Sequence, residues 1–296
     1  MSSCAYSEIF FSPQGEGHYT GIPTAWFRFF QCNLQCDGFG QKDPTDPTTY
    51  ILPYKDIDVS KYTKLEDLPV FSYGCDSSYS WSKKFKHLNH EGTTAEVADR
   101  IINSMKTKSN PEGTFKHPNG QEHHMCFTGG EPLMKNSQLQ SIALLQQFKD
   151  IGNMPKFVTY ETNGTQPLQQ EFIDWWKDNT DVELFFSVSP KLFTVSGESA
   201  KKAIKPTTVT SYNDLSSTGQ LKFVVSGTPE SWDELESVVE QFRRADVHYP
   251  IWIMPVGATV EGQELTAGDV AREAFHRGYN VAARMHVHLW GNLIGV

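Results

Sequence analysis

The sequence is short of most features that mark a nucleic-acid, membrane or secreted protein. It has no run of five basic residues, and its 26 Lys and Arg stand against 35 Asp and Glu, a formal net charge of −9. That balance offers no stripe for phosphates, so direct nucleic-acid binding is not expected. No stretch approaches the roughly 18 uninterrupted apolar residues of a membrane span, and the opening MSSCAYSEIFF lacks the basic-then-apolar order of a secretory signal. A cytoplasmic chain without a membrane partner is the expectation. Cysteine is scarce and odd in number, five in all. This argues against a disulfide framework and leaves metal or cluster ligation open. What the chain does have is length and apolar content: 296 residues at 38% hydrophobic can bury a sizeable core. A single domain over residues 1–296 is expected.

Apolar, β-rich runs alternate with helical patterns, as expected of an α/β fold with βα units around a parallel sheet or barrel. The spacing predicts about six or seven units, with strands at Thr24–Gln31, His123–Thr128, Lys156–Glu161, Val182–Ser189, Gln220–Ser226, Pro250–Met254 and Asn280–His288. A crossover helix is predicted over Thr94–Met105, opened by Thr93-Thr94-Ala95-Glu96 and carrying Val97, Ile101 and Ile102 on one face. Residues 40–72, rich in Pro, Asp, Thr and Tyr without clear periodicity, read as an insertion.

Cys32-Asn33-Leu34-Gln35-Cys36 follows the first long predicted strand, where a loop can wrap a metal centre. A structural zinc would need a second close pair, and none exists. Among the remaining thiols, Cys75 lies in a polar, glycine-flanked stretch, Tyr73-Gly74-Cys75-Asp76-Ser77, and is the best third ligand. Three thiolates leave one iron of a 4Fe-4S cluster open to a small molecule. Cys126 is the main rival, although its place inside an apolar strand suits a buried core thiol. Cys4 reads as an unimportant terminal thiol.

Asn-Leu between two cysteines, then Cys75-Asp76-Ser77, followed by Phe127-Thr128-Gly129-Gly130-Glu131-Pro132-Leu133, resembles the radical S-adenosylmethionine (SAM) enzymes. The opening Ser7-Glu8-Ile9-Phe10-Phe11-Ser12-Pro13-Gln14-Gly15-Glu16-Gly17, with Glu161-Thr162-Asn163-Gly164-Thr165 and Ser189-Pro190-Lys191, narrows the resemblance to the 7-carboxy-7-deazaguanine synthase family. Lys222-Phe223-Val224-Val225 and the ending His286-Val287-His288-Leu289-Trp290-Gly291-Asn292 resemble the family's later segments less specifically. The resemblance implies a partial (β/α)6-type TIM-like barrel with an insertion in the cluster loop. There is one departure. The family's third cysteine usually comes two residues after the second, whereas here 38 residues (37–74) intervene before Cys75.

Carried onto this sequence, the resemblance implies a 4Fe-4S cluster on Cys32, Cys36 and Cys75. It implies Mg2+ at Ser77, where the family has a threonine and the hydroxyl oxygen is kept. SAM would be held by Gly129, Gly130 and Glu131, whose glycines admit a ligand close to the backbone, and by Glu161, Asn163, Ser189 and Lys191. Each of these also has a plainer reading as a turn or helix start. The pterin substrate would meet Pro13, Gln14, Gly15, Glu16, Arg28 and Thr128. A carboxylate and an amide can read the pterin's donor and acceptor edge, and Arg28 can pair with its carboxylate. Arg28 should face away from Phe27 and Phe29, since side chains alternate along a strand. His286 and His288, two apart on the last predicted strand, should share a face, more simply as structural histidines than as ligands.

The reaction implied is the ring contraction of 6-carboxy-5,6,7,8-tetrahydropterin to 7-carboxy-7-deazaguanine. In it a 5′-deoxyadenosyl radical from SAM takes hydrogen from C6 and ammonia leaves, for 7-deazapurine (queuosine-type) biosynthesis. The hard chemistry belongs to the cofactors. An electron donor such as flavodoxin and a homodimer are the partners implied. Two other readings stay open at this point: another radical SAM enzyme such as a glycyl-radical activase, and a non-catalytic cluster- or SAM-binding regulatory protein.

Overall fold

The structure is a computed structural model that describes residues 3–295. Nine strands form one sheet: β1 (Ser3–Pro13), β2 (Pro23–Phe29), β3 (His90–Thr93), β4 (His124–Gly129), β5 (Phe157–Thr162), β6 (Glu183–Val188), β7 (Gly219–Val225), β8 (Ile251–Pro255) and β9 (Asn280–Val281). Their order across the sheet is β3-β1-β2-β4-β5-β6-β7-β8-β9. From β2 onward every pairing is parallel, while β1 runs antiparallel to both β2 and β3.

Strict alternation along the strands divides the sheet's two faces. Ala25, Phe27 and Phe29, Met125 and Phe127, Val158 and Tyr160, Leu221, Phe223 and Val225 are buried in one core. The helices Thr94–Ser104, Lys135–Asp150, Gln170–Asp178 and Pro229–Arg244 pack on that face through residues such as Val97, Ile101, Leu145, Phe148, Phe172, Leu235 and Phe242. Fully burying side chains of this size contributes about 1.5–3 kcal/mol each before chain entropy is counted. Of the strand residues that turn to the other face, Trp26, Arg28, Thr128, Glu161, Ser187, Lys222 and Met254 line one cavity. The sheet therefore curves around that cavity from β1 to β8.

The predicted crossover helix is present as Thr94–Ser104. Thr93 and Glu96 close a reciprocal capping box at its start, which satisfies two backbone N–H groups that would otherwise lack partners. Residues 47–88, which carry no clear periodicity, are short helical turns around a small core of their own: Tyr54, Leu65, Leu68, Phe71, Tyr79, Phe85 and Leu88.

The end of the chain departs from expectation. The strand predicted over Asn280–His288 is only Asn280–Val281, paired to Trp252 and Ile253. The chain then leaves the sheet and forms a helix, Met285–Trp290, that stops on Gly291 in the left-handed region. Two residues apart on a helix point to different sides. His286 therefore reaches the cavity while His288 is exposed, and the shared face predicted for them does not form.

Candidate active site

The cavity, about 290 Å³, lies at the carboxyl ends of the parallel strands, the edge where α/β folds place their sites. Cys32, Cys36 and Cys75 line it together and share one contact cluster with Leu34, Phe39 and Ala203. The long detour between Cys36 and Cys75 is closed by backbone bonds: Gly74 N–H donates to Phe39 O (2.8 Å) and Gln31 N–H to Ser80 O (2.8 Å). All three are free thiols. Burial pushes Cys32 up to about 12, with Glu131 adding to the effect. It also raises Cys36 and Cys75. Such thiols ionise when a cation coordinates them. Among the described residues no three His, Cys, Asp or Glu side chains gather tightly enough for a single metal ion. A polynuclear cluster holds its ligands farther apart than one ion does, and three facing thiols fit its donor chemistry. Cys126 is fully buried on β4 and outside the cavity wall, and Cys4 belongs to the core on the helix side.

Gly129 and Gly130 border the cavity, but their lack of side chains is required by the protein itself. A Cβ on Gly129 would sit 2.5 Å from the Phe29 backbone, and one on Gly130 would sit 2.0 Å from Gln31 O. The segment presses directly on the strand exit that carries Cys32, with Glu131 N–H donating to Gln31 O at 2.8 Å. Glu131 itself is fully buried and absent from the cavity wall. Its carboxylate accepts from Leu133 N (2.9 Å), Thr162 Oγ1 (2.7 Å) and Asn163 N (2.8 Å), joining the ends of β4 and β5.

The other predicted SAM residues stand on the wall. Asn163 Nδ2 donates to Asn33 Oδ1 (3.0 Å) in the cysteine loop, and Lys191 Nζ donates to Ser189 Oγ (3.0 Å). Glu161 receives Gln14 Nε2 (3.4 Å) and faces Lys222 Nζ (3.6 Å). Ser77 Oγ lies 3.5 Å from Cys75 Sγ.

Of the predicted substrate residues, Pro13, Gln14, Glu16, Arg28 and Thr128 line the cavity. Gly15 is covered by His286, whose Nδ1 would be 2.0 Å from any Cβ there. Arg28 faces away from Phe27 and Phe29 as expected. Its Nε is bonded to Glu8 Oε1 (2.5 Å), and its guanidinium lies over the Tyr79 ring. Glu16 bonds Lys222 Nζ and Arg284 Nε (2.9 Å), and Arg284 Nη2 reaches Asp76 Oδ2 (2.7 Å). Burial alone would raise the Glu16 carboxyl, but the Lys222 and Arg284 cations outweigh it and hold it far below the usual range. His286 is pushed down to about 4 by burial and then by Arg284, so it stands neutral at pH 7.

Glu8, Tyr79, Lys222 and Arg284 join the site without having stood out in the sequence as site residues. Lys222 carries a usable signal, a charge flanked by Leu221 and Phe223 inside a strand. Arg284 has none, because its place depends on where the last strand stops.

No family model matches the chain. A 7-carboxy-7-deazaguanine synthase of Halobacterium salinarum is 26% identical over 305 aligned positions, covering 97% of this chain and 90% of the relative. One of Rhodopirellula baltica is also 26% identical, covering 99% and 89%. The chain is a homologue of the 7-carboxy-7-deazaguanine synthases. As such it is an enzyme, of the lyase class. The fold of this synthase homologue is like that of QueE from Escherichia coli, with a TM-score of 0.51 at 16% identity over 96% of this chain and 95% of that one.

Proposed function

We propose that the chain converts 6-carboxy-5,6,7,8-tetrahydropterin to 7-carboxy-7-deazaguanine and ammonia, on one partial-barrel domain with an insertion in its cluster loop. The observation that carries this reading is that Cys75, 39 positions beyond Cys36 in the chain, joins Cys32 and Cys36 at the wall of the same cavity as the Gln14–Glu16–Arg28 group. In it Cys32, Cys36 and Cys75 hold a 4Fe-4S cluster, and Asn163, Ser189, Lys191, Glu161 and the Gly129–Gly130 backbone hold SAM. When bound, these cofactors supply a radical able to remove hydrogen from carbon.

The chain's own residues bind, orient and enclose the pterin. Glu16 is an anion at neutral pH and accepts from the pterin's amino and ring N–H groups, with the Gln14 amide beside it. Arg28 gives its Nε to Glu8 and pairs its terminal nitrogens with the substrate carboxylate. Four carboxylates (Glu8, Glu16, Asp76, Glu161) and four cations (Arg28, Lys191, Lys222, Arg284) line the wall. The substrate carboxylate therefore adds a negative charge to a balanced set, which supports a role for Mg2+ at the Ser77 hydroxyl. That ion commonly takes few protein ligands and completes its shell with substrate and water.

The test is anaerobic reconstitution with iron and sulfide, then dithionite, SAM, Mg2+ and the carboxytetrahydropterin. A product lighter than substrate by one ammonia, with a deazapurine absorbance, is expected. SAM cleavage with untouched pterin would mean another substrate, and no cluster with no turnover would overturn the reading.

A further inference from the structure

Glu198 lies outside the cavity wall, on the turn after the short helix Phe193–Ser196, yet its carboxylate is directed at the loop between Cys32 and Cys36. Oε1 accepts both Gln35 N–H (2.7 Å) and Cys36 N–H (2.9 Å), while Oε2 meets Lys202 Nζ at 3.1 Å. The same turn fixes the loop one step further on, where Gly38 N–H donates to Ser196 O (2.9 Å). A Cβ on Gly38 would meet the Ser196–Gly197 backbone at 2.6 Å, so the contact is close throughout. The Glu198 side chain is 9% exposed against 47% for Lys202, so the carboxylate is the shielded partner and the cation the solvated one.

Two physical effects follow for a redox centre on these cysteines. A carboxylate beside it disfavours the added electron. Backbone N–H groups at cluster loops commonly donate to ligand sulfurs and favour the reduced form. Here the N–H groups of Gln35 and Cys36 are committed to Glu198.

We propose that Glu198 is a positioning residue that sets the reduction potential of the cluster low, making it a stronger electron donor, by placing a negative charge beside the Cys32–Cys36 loop and by keeping the Gln35 and Cys36 N–H groups from the cysteine sulfurs. Lys202 partly offsets it. This rests on the cluster reading above. It concerns a residue outside the cavity wall.

The test is an anaerobic redox titration of the reconstituted protein followed by electron paramagnetic resonance, with iron and acid-labile sulfide measured on the same samples. Glu198→Gln keeps one acceptor and loses the charge. At an ambient potential near the wild-type midpoint, its ratio of reduced to oxidised cluster should rise about tenfold, the size of one partly shielded charge acting through an effective dielectric of about 20. Lys202→Met should move the ratio the other way. A loaded Glu198→Gln protein that titrates at the wild-type potential overturns the proposal. If that variant holds no cluster, Lys202→Met decides: a lowered ratio supports the proposal and an unchanged one overturns it. A wild-type protein that binds no iron and sulfide overturns the cluster reading itself, and this inference with it.

Discussion

Gly130→Ala is the sharpest test of how the site is assembled, because the clash it creates is with backbone. The new Cβ would sit 2.0 Å from Gln31 O, 2.4 Å from Gln31 C and 2.9 Å from Cys32 N, where real Cβ contacts do not fall below 3.0 Å. The Gln31 carbonyl must therefore retreat by about 1 Å, stretching its bond from Glu131 N–H and moving Cys32, the next residue. Overpacking of this kind costs about 1–3 kcal/mol. A displacement of that size in a reacting assembly costs on the order of a hundredfold in rate. Denaturant unfolding gives the first quantity; iron per chain and turnover give the second. Gly268→Ala is the control. Gly268 sits in the helix Ala267–His276 with open space around the position a Cβ would take, so the substitution should gain about 0.5–1 kcal/mol. A Gly130→Ala protein of wild-type stability and iron content would refute the account of the glycine pair as a structural clamp.

Cys75→Ala should abolish the visible absorbance of the reconstituted protein while Cys126→Ala keeps it; the reverse pattern would reassign the third ligand. Glu131→Gln places an amide among three donors, and unfolding should show a loss of about 1.5–3 kcal/mol even without SAM, since the bonds lost are to a charged group. Lys222→Met leaves Glu16 with Arg284 alone, and turnover should fall at least tenfold, with the Michaelis constant for the pterin rising in steady-state assays. His124 is pushed down to about 4 by burial, with His123 beside it. Its unfolded form takes up a proton near pH 6.5 and its folded form does not, so its contribution to stability is full above pH 6.5 and lost as pH falls toward 4. His124→Gln should flatten that part of a pH–stability curve.

The parallel strands and the crossover helix were legible because their signals are local: period-two alternation, a capping box and turn residues at the ends. The last strand was not, because Asn280-Val281 and Met285–Trp290 are both apolar enough to pass for one run, and only sheet pairing shows where the strand stops. That Cys32, Cys36 and Cys75 come together at one cavity could be anticipated from their settings. Glu131 could be named but its direction could not, because that depends on Thr162 and Asn163 from another strand. Arg284 and Glu198 act across 268 and 162 positions of chain, on Glu16 and Cys36, distances over which no spacing pattern exists.

The stretch from Cys36 to Cys75 carries a core of its own, and that alters what its length means. Closing a loop costs free energy only as the logarithm of its length, so 38 residues in place of two adds roughly 2–3 kcal/mol. Burial of Phe71, Phe85 and Leu88 is enough to offset that. Exposed positions between its buried residues, such as those around Asp43–Thr49, can therefore change with little penalty, provided that Phe71, Phe85 and Leu88 stay packed and Gly74 keeps its backbone bond to Phe39.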